Sequence, residues 1–196
     1  MNRKKIQEQR MKEYFIQATR EILRSEGLKN ASVRNIAEKA GYSYATLYNY
    51  FKDAKDLVFE CVRDFQQECR EFIESETRET NAGIEKIRAI NLAYVKYFVQ
   101  YPGIFELFYI EKTSDLAHKQ PTVEMINDFL DKITEKDWQV AIAQQKIEKE
   151  GAGLVQTQIK FFIIGVLVSY INRRLNADYR EIMAMVDKQL NYILEL

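Results

Sequence analysis

The chain has 196 residues, 46% of them hydrophobic and 30% charged, which is ordinary for a protein that buries a core. Seven glycines and two prolines leave little material for strand punctuation or flexible linkers, so an all-α fold is expected. The formal charge is zero, but residues 1–55 hold 12 Lys/Arg against 6 Asp/Glu while the remainder holds 17 against 23. A basic end on a mildly acidic body suits a chain that presents one end to a polyanion.

The N-terminus is charged and leads into no apolar stretch, which argues against a secretory signal. Apolar residues at Ile6, Met11, Phe15, Ala18, Ile22 and Leu23 follow a helical period, and Gly27 stops that helix. Arg3, Lys4 and Lys5 ahead of it can form an arm along DNA or a frayed, solvated terminus. Ser32 stands as an N-cap for a second helix with Val33, Ile36, Ala37 and Ala40 inward, ended by Gly41. Tyr44 to Tyr50 makes a third, with Leu47 and Tyr48 inward, and Phe51 closes this small core.

A long helix is expected from about Lys55 to Glu79, burying Leu57, Val58, Cys61, Val62, Phe65, Cys69, Phe72 and Ile73. Cys61 and Cys69 lie eight apart on it, too far to be bridged, so both are read as reduced core thiols of a cytoplasmic protein. After a break at Asn81–Gly83 comes a helix from Ile84 to Gln100, then Pro102-Gly103 and a short helix to about Ile110. The polar stretch Glu111–Gln120 reads as a loop, and Pro121 opens a helix running to about Glu150.

Gly151 to Gly153 reads as the next break, ahead of helices at about Leu154–Leu175 and Tyr179–Leu194. The longest apolar run, Phe161–Val168 reaching to Ile171, is shorter than the roughly 20 residues a membrane span needs, so it is expected to be buried. A helix apolar on every side must be covered on every side, either by its own chain or by a second copy. A homodimer is expected through Ile159, Phe162, Ile163, Val166, Leu167 and Tyr170 of one helix and Ile182, Met185, Val186 and Ile193 of the next.

The segment Ser32–Leu57 carries the chemistry. In a helix-turn-helix two helices cross closely, which calls for a small residue (Ala37), and the turn needs positive φ (Gly41). Leu47 packs the second helix back on the first. With the preceding helix and Gly27, the series Ser32-Val33-Arg34-x-Ile36-Ala37-x2-Ala40-Gly41, then Thr46-Leu47-Tyr48-x-Tyr50-Phe51-Lys52-x2-Lys55-x-Leu57, closely resembles the tetracycline-repressor (TetR) family of transcriptional regulators over about residues 6–60.

The resemblance implies an all-α fold of about nine helices. A three-helix DNA-binding domain at residues 1–54 would precede a helical effector-binding and dimerisation domain at 55–196. It also implies that Arg34 reaches DNA at the groove edge, and that Ser43, Tyr44, Ala45, Thr46, Asn49 and Tyr50 lie on or beside the reading face. Tyr48 would touch a phosphate through its hydroxyl, and Lys52 and Lys55 would clamp the backbone. Tyr42 and Tyr44 replace residues more usual in the family, so the operator is not inferred from relatives. Tyr42 and Tyr50 also suit packing against the first helix.

The same resemblance implies an effector pocket among inward aromatics of the later helices. The candidates are Phe65, Phe72, Tyr94, Tyr97 and Phe98, then Phe105, Phe108, Tyr109, Trp138 and Phe161, and their chemistry suits a flat or hydrophobic effector. Glu106 fits a cation-binding acid or a solvated face equally. The expected function is a dimeric, sequence-specific repressor released by a small molecule; the alternative is a DNA-binding regulator controlled by a protein partner. The expected partners are palindromic operator DNA, an effector and a second copy, with no membrane.

Enzyme chemistry finds no support in the residues. His118 is the sole histidine, which makes a multi-histidine metal site or a Ser-His-Asp triad improbable, and it reads as an exposed loop residue. Tyr48-x3-Lys52 mimics a dehydrogenase spacing but has no glycine-rich strand-turn-helix to hold a dinucleotide. No cofactor, metal or catalytic residue is expected.

Overall fold

A computed structural model describes residues 3–110 and 120–194, and the side chains of all but 120–122 among them. His118 and most of the loop expected at Glu111–Gln120 lie outside the described residues. Ten α-helices occur among the described residues, in two compact units made of residues 1–66 with 101–126 and of 67–100 with 127–196. They are α1 Arg3–Ser25, α2 Val33–Ala40, α3 Tyr44–Tyr48, α4 Ala54–Glu76 and α5 Ile84–Gln100, then α6 Pro102–Tyr109, α7 Gln120–Asn127, α8 Phe129–Ala143, α9 Lys149–Ile171 and α10 Tyr179–Ile193.

In the first unit α1 packs on α2 and α6. Its inner stripe, Phe15, Ala18, Thr19, Ile22 and Leu23, is buried at helical spacing, and Thr19 satisfies its hydroxyl on the Phe15 carbonyl at 2.7 Å. The first turn of α6 lies directly on the end of α1: a Cβ built on Gly103 would stand 2.5 Å from the Leu23 carbonyl oxygen. Only glycine admits that approach, while Pro102 opens the helix at a position that needs no N–H donor.

In the second unit α5 is the central helix, touched by α8, α9 and α10. Nine of its residues are buried, from Ile84 to Phe98, and the buried Asn91 amide donates to the Ile87 carbonyl at 2.8 Å. Arg88 pairs with Asp187 of α10, and Lys160 of α9 with Asp131 of α8 at 2.6 Å. A capping box opens α10: Asp178 accepts from the Glu181 N–H at 2.9 Å, and Glu181 accepts from the Asp178 N–H at 2.7 Å.

Three expectations are corrected. The helix expected from Pro121 to Glu150 is two helices that part at Asp128, and the break expected at Gly151–Gly153 lies earlier, where Gln145 takes φ 57°. Both glycines sit inside α9; such positions cost only about 0.5–1 kcal/mol each.

The third concerns burial. The wrapped helix is α5, whereas α9 has length and composition enough to cross a membrane but only 17% of its most apolar stretch buried within the chain. Its inner face carries Ile159, Ile163, Val166 and Leu167, and α10 turns Ile182 and Val186 inward; these six expected interface residues are spent on the chain's own core. Phe162, Tyr170, Met185 and Ile193 remain half-buried. The open face of α9 carries Leu154, 76% exposed, and Phe161, 65% exposed, while Tyr192 of α10 is 82% exposed.

Candidate nucleic-acid interface

Local chemistry sets the helix-turn-helix. Ser32 caps α2, its hydroxyl accepting from the Asn35 N–H at 3.2 Å, and Gly41 ends it in the left-handed conformation at φ 77°. Two residues later Ser43 caps α3, accepting from the Thr46 N–H at 3.1 Å while the two hydroxyls bond each other at 2.9 Å. Leu47 is fully buried where α3 packs on α2, whose Ile36 and Ala37 are also fully or almost fully buried. Burying a leucine of this kind contributes about 1.5–3 kcal/mol, enough to hold a five-residue helix that would not form alone.

That anchoring leaves the rest of α3 facing solvent. Tyr44 is 64% and Tyr48 54% exposed, and Ala45 and Asn49 are exposed beside them. Tyr48 therefore does not turn inward as expected. Successive helical positions are about 100° apart, and Leu47 already takes the inward one. Tyr42 and Tyr50 pack: the Phe15 ring lies 5.7 Å from Tyr42 and 6.2 Å from Tyr50, with Phe51 edge-on at 6.4 Å.

Arg34, on the first turn of α2, is exposed, as are Lys55 at the entry to α4 and Lys52 just before it. The α4 entry is ordered by Asp53, which accepts from the Asp56 N–H at 3.0 Å, while the Asp56 carboxylate accepts from the Lys52 N–H at 3.3 Å. The two lysine side chains thus extend from a fixed turn. Together these groups offer cations and hydroxyls for phosphates, and aromatic, amide and methyl groups for base edges.

Sequence reading does not single out Tyr14. The structure places its ring 6.1 Å from that of Tyr42 and leaves it 54% exposed beside the turn into α3. The signal available was its position, one residue before the fully buried Phe15 and thus off the apolar stripe.

Residues 15–61 match the family model of bacterial regulatory proteins, tetR family. This is a TetR-family helix-turn-helix domain. No curated protein sequence matches the chain. Among solved structures the chain is similar to the fatty acid degradation regulator FadR from Bacillus halodurans, at 15% identity and TM-score 0.74 over 94% of each chain. It is also similar to the transcriptional regulator FadR from Bacillus subtilis, solved in complex with stearoyl-CoA, at 16% identity and TM-score 0.72 over 92% of this chain and 96% of that one. A TetR family transcription regulator from Marinobacter aquaeolei VT8 gives 16% identity and TM-score 0.58 over 99% and 97%. The family match covers residues 15–61, and the solved structures share the fold of the chain.

The aromatics expected around an effector divide between the two units. In the second, Tyr94, Tyr97 and Phe98 are buried and stack, with Tyr94–Phe98 at 4.7 Å and Tyr97–Phe98 at 5.3 Å; Phe72 is half-buried and lies 5.7 Å from Tyr97. The Tyr97 hydroxyl donates to Glu68 at 3.3 Å. Trp138 is buried and donates to the Thr134 hydroxyl at 3.2 Å, beside a cavity of about 10 Å³ that has room for one water.

Two wider clefts of that unit, about 300 and 280 Å³, are lined by none of the ten. In the first unit Phe65 and Phe105 are buried, while Phe108 and Tyr109 are half-buried. Glu106 is exposed, which fits the solvated-face alternative. Phe161 points outward and is withdrawn from the inward set, because its helical position falls on the open face of α9.

Proposed function

We propose that the chain is a dimeric, sequence-specific DNA-binding repressor whose grip on its operator is released by a small hydrophobic or aromatic effector. One observation carries the DNA reading: Tyr44 and Tyr48 stand exposed on a capped helix whose single apolar anchor, Leu47, is fully buried. Exposed aromatics cost solubility and give the core nothing, so an external surface is their natural partner. α3 would enter the major groove, with Tyr44, Ala45, Thr46 and Asn49 at base edges and Arg34, Tyr48, Lys52 and Lys55 on the backbone.

The uncovered apolar face of α9, with Leu154 and Phe161, supports pairing through the two C-terminal helices. Two copies would present two reading helices to half-sites about one helical turn, or a multiple of it, apart. An effector that favours a different spacing of the heads would lower operator affinity by its differential binding to the two states. The stearoyl-CoA held by the Bacillus subtilis regulator makes long-chain acyl-CoA the first effector class to test.

The test is binding of the purified chain to the duplex upstream of its own gene and to a scrambled duplex of equal composition. A preference of at least about 1,000-fold at physiological salt is expected of a specific regulator. Equal affinity for both would contradict the reading. Release by palmitoyl- or stearoyl-CoA, but not by free coenzyme A, would support an acyl effector.

A further inference from the structure

We propose that the first three turns of α1 form a second DNA-binding surface, in which Arg3, Arg10 and Tyr14 hold the phosphate backbone beside the groove that α3 enters. This rests on the DNA-binding reading above and adds to it a surface outside the helix-turn-helix.

The stripe follows from helix geometry. Positions 3, 7, 10 and 14 are separated by four, three and four residues, so Arg3, Gln7, Arg10 and Tyr14 share one face of a continuous helix. At about 1.5 Å per residue the face runs roughly 16 Å, several nucleotide steps at about 3.4 Å of rise per strand. All four side chains are exposed. The C-terminal end of the stripe is fixed against the reading head: the Tyr14 ring lies 6.1 Å from Tyr42, tilted by 31°. Tyr42 immediately precedes Ser43, the residue that caps α3. The stripe therefore starts at the turn into the reading helix and leads away from it.

Charge and burial point to a polyanion. Residues 3–14 carry Arg3, Lys4, Lys5, Arg10 and Lys12 against Glu8 and Glu13; Glu8 falls on the far side of the helix from the stripe, as do Lys5 and Lys12, and Glu13 on its flank. The first turn holds no acid. The buried residues of α1 begin at Phe15, so these turns are not required by the core, with Met11 alone half-buried among them. A basic helical extension that adds little to the core, continuous with a candidate DNA surface, has charge complementarity to the backbone and not to the bases. Tyr14 contributes a hydroxyl where the stripe meets the head.

The experiment measures affinity for a selected cognate duplex against salt for the full-length chain and for R3A/R10A, R3K/R10K and Y14F. Removing one cation from a phosphate lowers the slope of log K against log salt by about 0.9, so R3A/R10A is expected to reduce it by about 1.8 while keeping its preference for cognate over scrambled duplex. R3K/R10K retains the charges and is expected to keep the native slope. Y14F removes one hydroxyl and is expected to weaken binding about fivefold, the equivalent of a typical hydrogen bond. A native slope in R3A/R10A with specific binding intact overturns this inference and leaves the helix-turn-helix reading standing. Failure of the native chain to prefer the cognate duplex overturns both.

Discussion

Two residues of α3 separate folding from reading. Leu47 is fully buried and Tyr44 is 64% exposed, so their truncations are expected to do opposite things. Leu47→Ala should cost about 2–5 kcal/mol of stability, read as a lower denaturant midpoint. Tyr44→Ala should leave stability unchanged and reduce discrimination between cognate and scrambled duplex by about 1–3 kcal/mol. The thiols give a second residue-scale prediction. Cys61 and Cys69 are buried, and burial pushes both well above the ordinary thiol value, Cys61 with a further push from Asp64. Neither should react with a disulfide reagent in the native chain, and both should react on unfolding. Because the folded chain holds these protons more tightly, stability is full below the ordinary value of 9.0 and falls as pH rises past it.

Individual elements show what the sequence makes legible and where it misleads. Capping residues are read directly: Ser32 and Gly41 bracket α2 as expected, and Ile84–Gln100 emerges with the expected bounds, because a cap or a break needs only its immediate neighbours. Gly151 and Gly153 mislead because a glycine inside a helix costs only about 0.5–1 kcal/mol, too little to end it alone. Tyr48 misleads because aromatic character suggests burial, while only the angle from Leu47 decides it. The close approach at Gly103 is also invisible locally, since its partner is the Leu23 carbonyl eighty residues earlier. Gly103→Ala forces a Cβ onto backbone that cannot swing aside and should destabilise the α1–α6 packing by about 1–3 kcal/mol. Calorimetry is expected to show a fall in Tm of about 2–4 °C per kcal/mol for a chain of this size.

At the scale of the molecule, charge and exposure separate the two ends of the chain. The basic first quarter carries the reading helix and the cationic turns of α1, while the open apolar face lies on α9. Phe161→Glu places a charge on that face without touching the core and, if the proposed pairing forms there, is expected to give a monomer mass in light scattering where the native chain gives a dimer mass. A native monomer, or a dimer mass unchanged by the substitution, would contradict pairing through this face. The central claim is that Tyr44 and its neighbours read DNA sequence, and it is tested most directly by selecting from a randomised duplex library with the purified chain and sequencing what is retained. The account predicts an enriched inverted repeat whose half-sites lie about one helical turn, or a multiple of it, apart. Retention of duplexes with no shared motif would contradict it.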